Sequence, residues 1–339
     1  MSSSSIQPLS ERSAQPAERR TCLSTARLRA VGDMKLRRRA IVEPRPTGLA
    51  LLDGDLPGFF QDADRAAKSG QRRYLVLSAT RFVALVAATA AGTLTFTAFD
   101  RQPMPTIAAV AVGVAFVTEV VLWVSQPERD WYAGRALAES TKTLAWRYAS
   151  CGNPFPAELL SDESQKLLFE RVADVTSKGK DRITLSSSLP LVTPEMAALR
   201  SAGHTDRRRV YVRDRTVDQM VWYATNAKRN KTRATFCRVL LVLGEAGALI
   251  AAILRASGEY DVDVAGIVAG AAAAVAAWFA LKQYSQLASA YSMASTELAL
   301  QRALLASTIE DHWAEAVAGA EEAISREHIM WLASRGPDT

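Results

Sequence analysis

The sequence predicts an all-α membrane protein: two transmembrane helical hairpins, four spans in all, with long cytoplasmic helical extensions. Three observations predict it. Apolar residues are concentrated into four blocks separated by highly charged stretches, whereas a soluble chain spreads them as helical stripes. The blocks come in two pairs, each joined by a short connection containing turn formers. Lys and Arg gather at the block ends away from those connections.

Residues 1–50 come first. Ser, Pro and Arg dominate, without periodicity, and stretches such as "KLRRRA" (Lys35–Ala40) supply much of the net charge of +6. That composition predicts a disordered basic tail. Such a tail is either simply solvated or drawn to anionic lipid or nucleic acid; no specific nucleic-acid site is predicted. No apolar h-region stands there, so no cleavable signal peptide is expected, and Met34 is an alternative start. Cys22, Cys151 and Cys237 are far apart and form no CxxC pair, which predicts reduced thiols.

The blocks are Phe82–Phe99, Ile107–Val124, Val239–Leu254 and Val264–Leu281. As helices they span roughly 24–27 Å at 1.5 Å per residue, the short end for a bilayer. Arg72, Arg73, Tyr74 and Arg238 lengthen them by snorkelling. The connections are "DRQPMPT" (Asp100–Thr106) and "RASGEYDVD" (Arg255–Asp263), so the blocks pair as antiparallel hairpins. Lys68, Arg72, Arg73, Arg81, Arg129 and Arg135 flank the first hairpin, and Lys228, Arg229, Lys231, Arg233, Arg238 and Lys282 the second. The connections carry only Arg101 and Arg255. Both termini and all long segments are therefore expected in the cytoplasm.

The helices are expected to outrun the bilayer. Residues 128–149 and 282–334 are rich in helix formers, and the second stretch holds no Pro or Gly except Gly319. The two hairpins also read as copies of one unit. "ADRAAKSGQRR" (Ala63–Arg73) and "ATNAKRNKTRA" (Ala224–Ala234) precede them at an offset of 161, which sets Ala63 on Ala224 and Arg72 on Arg233. The units cover 51–155 and 206–335. A turn-rich linker, 156–205, separates them, with a helix expected over Ala157–Val175.

"LAWRYASCGNPF" (Leu144–Phe155), "VTPEMAALRSAGHTDRRRVYVRDRTVDQMVWYATNAKRN" (Val192–Asn230) and "AEEAISREHIMW" (Ala320–Trp331) together resemble the tandem form of the SLATT family, the SMODS and SLOG-associating two-transmembrane effectors. The likeness covers roughly residues 55–335. It implies two hairpin units in the bacterial inner membrane, acting as a pore-forming or membrane-perturbing effector in a nucleotide-signalled or antiphage conflict system. The chain departs from the fuller systems in showing no nucleotidyltransferase or nucleotide-sensing domain. The resemblance therefore implies a separately encoded signalling or sensor protein as partner, beside the lipid bilayer and other copies of the chain. The alternative is a non-conducting membrane scaffold or sensor subunit that presents its cytoplasmic helices to a partner.

Two acids interrupt the apolar blocks. Glu119 lies five residues before the inner end of the second block and Glu245 six residues after the inner end of the third, at depths of about 8 and 9 Å. An ionisable group at bilayer depth is a functional candidate, because leaving it unpaired costs about 2.5–3.5 kcal/mol or more. Glu119 is expected either to pair with Arg81 on the neighbouring antiparallel helix or to join a ring of acids lining a cation path. Arg238 and Lys282 stand in reach of Glu245. Gly266 and Gly270, extended by Ala274, and Gly244, Ala248 and Ala252 offer small-residue faces for helix packing, within the chain or between copies. Thr89, Thr93 and Thr97 form a hydroxyl stripe, bonded back to its own helix or lining a wet face.

In "DRRRVYVRDR" (Asp206–Arg215), Arg207, Arg208, Arg209 and Arg213 form either a solvated helix face or a contact for phosphate, a lipid head group or a nucleotide. Thr205 or Asp206 is a candidate cap for this helix. His204, His312 and His328 lack metal-ligand spacing, and Glu327 and His328 point to different helix faces. With no Walker loop, GxGxxG or GxSxG, no enzyme activity, metal or cofactor is expected.

Overall fold

The computed structural model describes residues 48–94, 103–177, 183, 190–259 and 262–333, with backbone alone over 326–333. The basic tail, Thr97, Arg101 and much of the 178–189 stretch lie outside the described residues, as do the side chains of Glu327 and His328. Among the described residues the structure is helical, with no strand.

The first unit is built from α1 (Gly58–Thr93), α2 (Pro103–Ser125) and α3 (Pro127–Ala149). Pro127 ends the second span. Proline cannot donate to the helix ladder and pushes the preceding residue out of the α region. Gln126 leaves the right-handed helix for the left-handed region, at φ 43°, and the chain restarts as α3 with Pro127 in its first turn. The second unit repeats this plan in α7 (Asp218–Ala256), α8 (Val264–Lys282) and α9 (Tyr284–Ser307). Gln283, at φ 49°, makes the same break, here without a proline. The stretch 282–334 is therefore not one helix. It breaks at Gln283 and again at Thr308, whose extended backbone leads through a 3-10 turn into α10 (Trp313–Ala333).

Within each unit the long first helix packs along both others: α1 along α2 and α3, α7 along α8 and α9. Glycines set the α1–α3 approach. A Cβ at Gly70 would lie 2.6 Å from the Trp131 backbone N, and one at Gly134 would lie 2.7 Å from that of Ala67. At the equivalent level the second unit uses aromatic packing, with Trp222 and Tyr223 ring centroids 5.3 and 5.5 Å from that of Tyr291.

Between the units stand α4 (Ser161–Ser177), α5 (Pro194–Ser201) and α6 (His204–Val210), followed by a π-helical segment, Tyr211–Val217, continuous with α7. The linker helix thus begins four residues later than Ala157. Gly203, not Thr205 or Asp206, caps α6. The stretch 156–205 belongs to the core outside the spans: Leu168, Met196 and Leu199 are fully buried with Trp146, Tyr148, Phe155, Tyr211 and Trp313. Arg200 holds the turn before it, donating to the carbonyls of Tyr148, Phe155, Pro156 and Leu159 at 2.9–3.4 Å.

The four spans form a row. Among the described residues α2 packs chiefly along α1 and α7 chiefly along α8, while α1 and α8 join the hairpins. A Cβ at Gly270 would lie 3.3 Å from Thr89 Cγ2 across that joint. No residue of α8 is buried, although it is the helix between α1 and α7. A water-soluble core could not tolerate that much open apolar surface; hydrocarbon can.

Candidate functional site: two intramembrane acids above a buried ion cluster

Arg81 stands just before the first apolar block, and its Nη1 lies 2.5 Å from Glu119 Oε2 on α2. The pair joins the two helices of the first hairpin. It is half open, with side chains 38% and 51% exposed. Glu245 is exposed on α7 and makes no hydrogen bond or ion pair among the described residues. Neither cation expected near it is placed there. Arg238 Nη2 donates to Ser285 Oγ at 3.0 Å, and Lys282 Nζ stands over the rings of Trp278 and Tyr284. The reason is geometric. Gly244 faces α8, where its Cβ would meet Ala272 Cβ at 3.3 Å, and the next residue points about 100° away from that contact.

The small residues divide. Gly244 and Gly270 sit at helix contacts, with α8 and α1 respectively, and Ala248 is half-buried on α7. Within the chain, the atoms nearest a Cβ at Gly266 would be those of Asp263, not of another helix. Gly266 belongs to the α8 N-terminus, where its N–H donates to the capping carboxylate Asp263 Oδ1 at 3.1 Å. The hydroxyl stripe is bonded to its own helix: Thr89 Oγ1 donates to Leu85 O and Thr93 Oγ1 to Ala90 O, both at 3.0 Å.

Of the four candidate arginines, Arg207, Arg208, Arg209 and Arg213, the first is buried and committed. It donates to Ala202 O at 2.6 Å and Glu310 Oε1 at 3.1 Å, so it is not available to a head group or phosphate. Arg208, Arg209 and Arg213 line an open groove. His204 packs edge-on to Trp313, with centroids 5.3 Å apart, as an aromatic neighbour. Among the described residues no cluster of His, Cys, Asp or Glu could hold a metal.

Below the spans lies a cluster that sequence patterning did not single out. Glu321 of α10 is fully buried and accepts four hydrogen bonds. Arg215 Nε and Nη2 donate at 2.8 and 2.7 Å, Tyr211 Oη at 2.9 Å and Thr143 Oγ1 at 3.0 Å. Thr143 belongs to the first unit, and Tyr211 and Arg215 to the π-helical segment that opens the second. One carboxylate therefore ties α3, the π-helical segment and α10 together. Burial, then the charge of Glu321, pushes the Tyr211 hydroxyl well above its ordinary range, so it stays a donor. Burial alone would lower the Arg215 guanidinium, but Glu321 outweighs it and holds the charge in place. The signal was present in "EEAISREH", where two adjacent acids stand in an amphipathic run, but spacing alone gives no partner 106 residues away.

Comparison with family models resolves this architecture into two domains. Residues 57–208 match SMODS and SLOG-associating 2TM effector domain 3, and residues 211–331 match SMODS and SLOG-associating 2TM effector domain 1. The chain belongs to the SLATT family. Neither a curated protein nor a solved structure matches it. The SLATT pair accounts for the repeated three-helix plan, one effector domain per hairpin. The domains meet just before the π-helical segment, whose first residue, Tyr211, is also the first of the second match. Residues 156–205 fall inside the first SLATT match. The chain is thus a multi-pass membrane protein with two two-transmembrane effector domains.

Proposed function

We propose that this protein is an inner-membrane effector that assembles from several copies into an ion-conducting or membrane-perturbing ring, with both termini in the cytoplasm. One observation carries the reading: the four spans form an open row whose two end helices each present an acid at similar depth. Glu119, held by Arg81, is on α2 at one end, and the unpaired Glu245 is on α7 at the other.

A carboxylate left alone in hydrocarbon costs about 2.5–3.5 kcal/mol or more. Head-to-tail docking of α7 of one copy on α2 of the next would bring Glu245 to the level of the Arg81–Glu119 pair. One guanidinium would then serve two acids. Such a contact is heterologous and closes into a ring when its rotation allows. A ring of acids with incompletely compensated charge favours cations. Lys and Arg at the inner ends of the spans support the orientation. The family match supports the role in a conflict system, with the trigger supplied by a separately encoded signalling protein.

Purified protein reconstituted into potassium-loaded liposomes tests it. The wild type is expected to release potassium, and Glu119→Gln and Glu245→Gln to release it several-fold more slowly. Both variants leaking at the wild-type rate would exclude acid-lined conduction. A tight wild-type vesicle, with and without the cytoplasmic ligand described below, would favour the scaffold alternative.

A further inference from the structure

The geometry points to a binding site for a soluble phosphorylated ligand in the cytoplasmic region, between the π-helical segment and α9. Arg208, Arg209 and Arg213 meet Arg302 of α9 around an open groove of about 480 Å³. Val212 and Val217 form an apolar part of its lining, and no acid is among the residues lining it.

The four guanidiniums differ in how far they are committed. Arg302 is exposed and makes no hydrogen bond or ion pair among the described residues. Among the described residues Arg208 donates only to Thr308 O, at 3.2 Å. Arg209 pairs with Asp206 at 2.9 Å, and Arg213 with Asp214 at 2.7 Å and with Leu49 O at 3.0 Å. The Arg209–Asp206 pair is open to solvent, the kind worth little to the fold and readily exchanged for a stronger acceptor. A phosphate group is such an acceptor, since the planar guanidinium fork matches its oxygens bidentately. Apolar lining beside a cationic rim suits a ligand with both a phosphate and a flat apolar part, as a nucleotide has.

Position decides between a lipid head group and a free phosphate. Arg302 lies 20 residues beyond Lys282, the inner end of the fourth span, or about 30 Å along α9. Arg213 lies 26 residues before Val239, about 39 Å along α7. A bilayer surface is several screening lengths away, each about 8–10 Å in physiological salt. The ligand is therefore free in the cytoplasm.

The groove also shares its helix with the Glu321 cluster. Val212, Arg213 and Val217 face the groove, while Tyr211 and Arg215 of the same segment bond Glu321. An occupant would therefore bear directly on the element joining the two domains. The site stands independently of the conduction reading, because binding is measured without it.

The test is binding of ATP, without magnesium, to the full chain in detergent micelles by isothermal titration calorimetry, with tripolyphosphate as competitor. ATP is expected to bind and to be displaced by tripolyphosphate. Arg302→Gln and Arg208→Gln should each weaken binding at least about tenfold. Arg302 is exposed and makes no hydrogen bond or ion pair among the described residues, so its variant should keep the wild-type melting temperature. Three results would overturn the site: no heat at about 1 mM ATP, wild-type affinity in both variants, or displacement by phosphatidylglycerol micelles as effective as by tripolyphosphate.

Discussion

Arg215 and Glu321 are joined by two parallel hydrogen bonds, 2.8 and 2.7 Å long, with side chains 1% and 0% exposed. A buried pair of this kind contributes little beyond an apolar isostere, but breaking it strands a charge. Glu321→Ala is expected to cost about 3–5 kcal/mol, and Arg215→Met with Glu321→Leu distinctly less. Thermal unfolding of both variants in detergent measures the difference. Equal losses would mean that the pair is not the joint described above.

The α1–α3 crossing depends on absent side chains. A methyl group on Gly134 would enter within 3.0 Å of the Ala67 backbone N and Cα, atoms that cannot rotate away. Gly134→Ala and Gly70→Ala are each expected to cost about 1–3 kcal/mol or more, as overpacking does. Gly319→Ala, where nothing lies near the new atom, is the control and should melt like the wild type.

Cys151 should be slow to alkylate. Its thiol is buried beside Arg200, and burial raises its pKa above the ordinary value despite the lowering influence of Arg200 and Arg207. The reactive species is the thiolate. A raised pKa means less thiolate at pH 8 than in a free cysteine, with a rate still rising as pH climbs past the ordinary thiol range. Iodoacetamide labelling of a Cys22→Ser, Cys237→Ser variant, folded and in denaturant, checks this. Equal rates at pH 8 would contradict it.

The legibility of the molecule in its sequence follows the physics of each part. Spans, hairpins and the two-unit plan were readable because hydrocarbon demands long uninterrupted apolar runs, and Arg81 and Glu119 stand out as charges at their margins. The break at Gln283 was not readable, since no proline or glycine announces it there as Pro127 does at Gln126. The cap contact of Gly266 was not readable either, since a small residue at the start of a span serves equally as a cap neighbour and as a packing position. The Glu321 cluster was invisible for a different reason: a buried ion pair between distant segments leaves no periodic trace, and its four donors come from Thr143, Tyr211 and Arg215.

Arg81 and Glu119 should behave as a unit in lipid. Arg81→Gln leaves Glu119 at membrane depth without its partner, with an expected cost of about 2.5–3.5 kcal/mol. Adding Glu119→Gln should restore most of that loss. Steric-trap or denaturant unfolding in bicelles would measure it, and additive losses would show the two side chains to be independent.

Head-to-tail assembly through the end helices is tested most directly by cysteine cross-linking in native membranes. Val120 of α2 and Val242 of α7 are exposed and sit about 6 and 4.5 Å from the inner ends of their blocks. In a Cys22→Ser, Cys237→Ser background, Val120→Cys together with Val242→Cys should give a ladder of covalent oligomers on oxidation, and neither substitution alone should give one. Dimers from a single substitution, or monomer throughout, would contradict a ring built from α2 against α7.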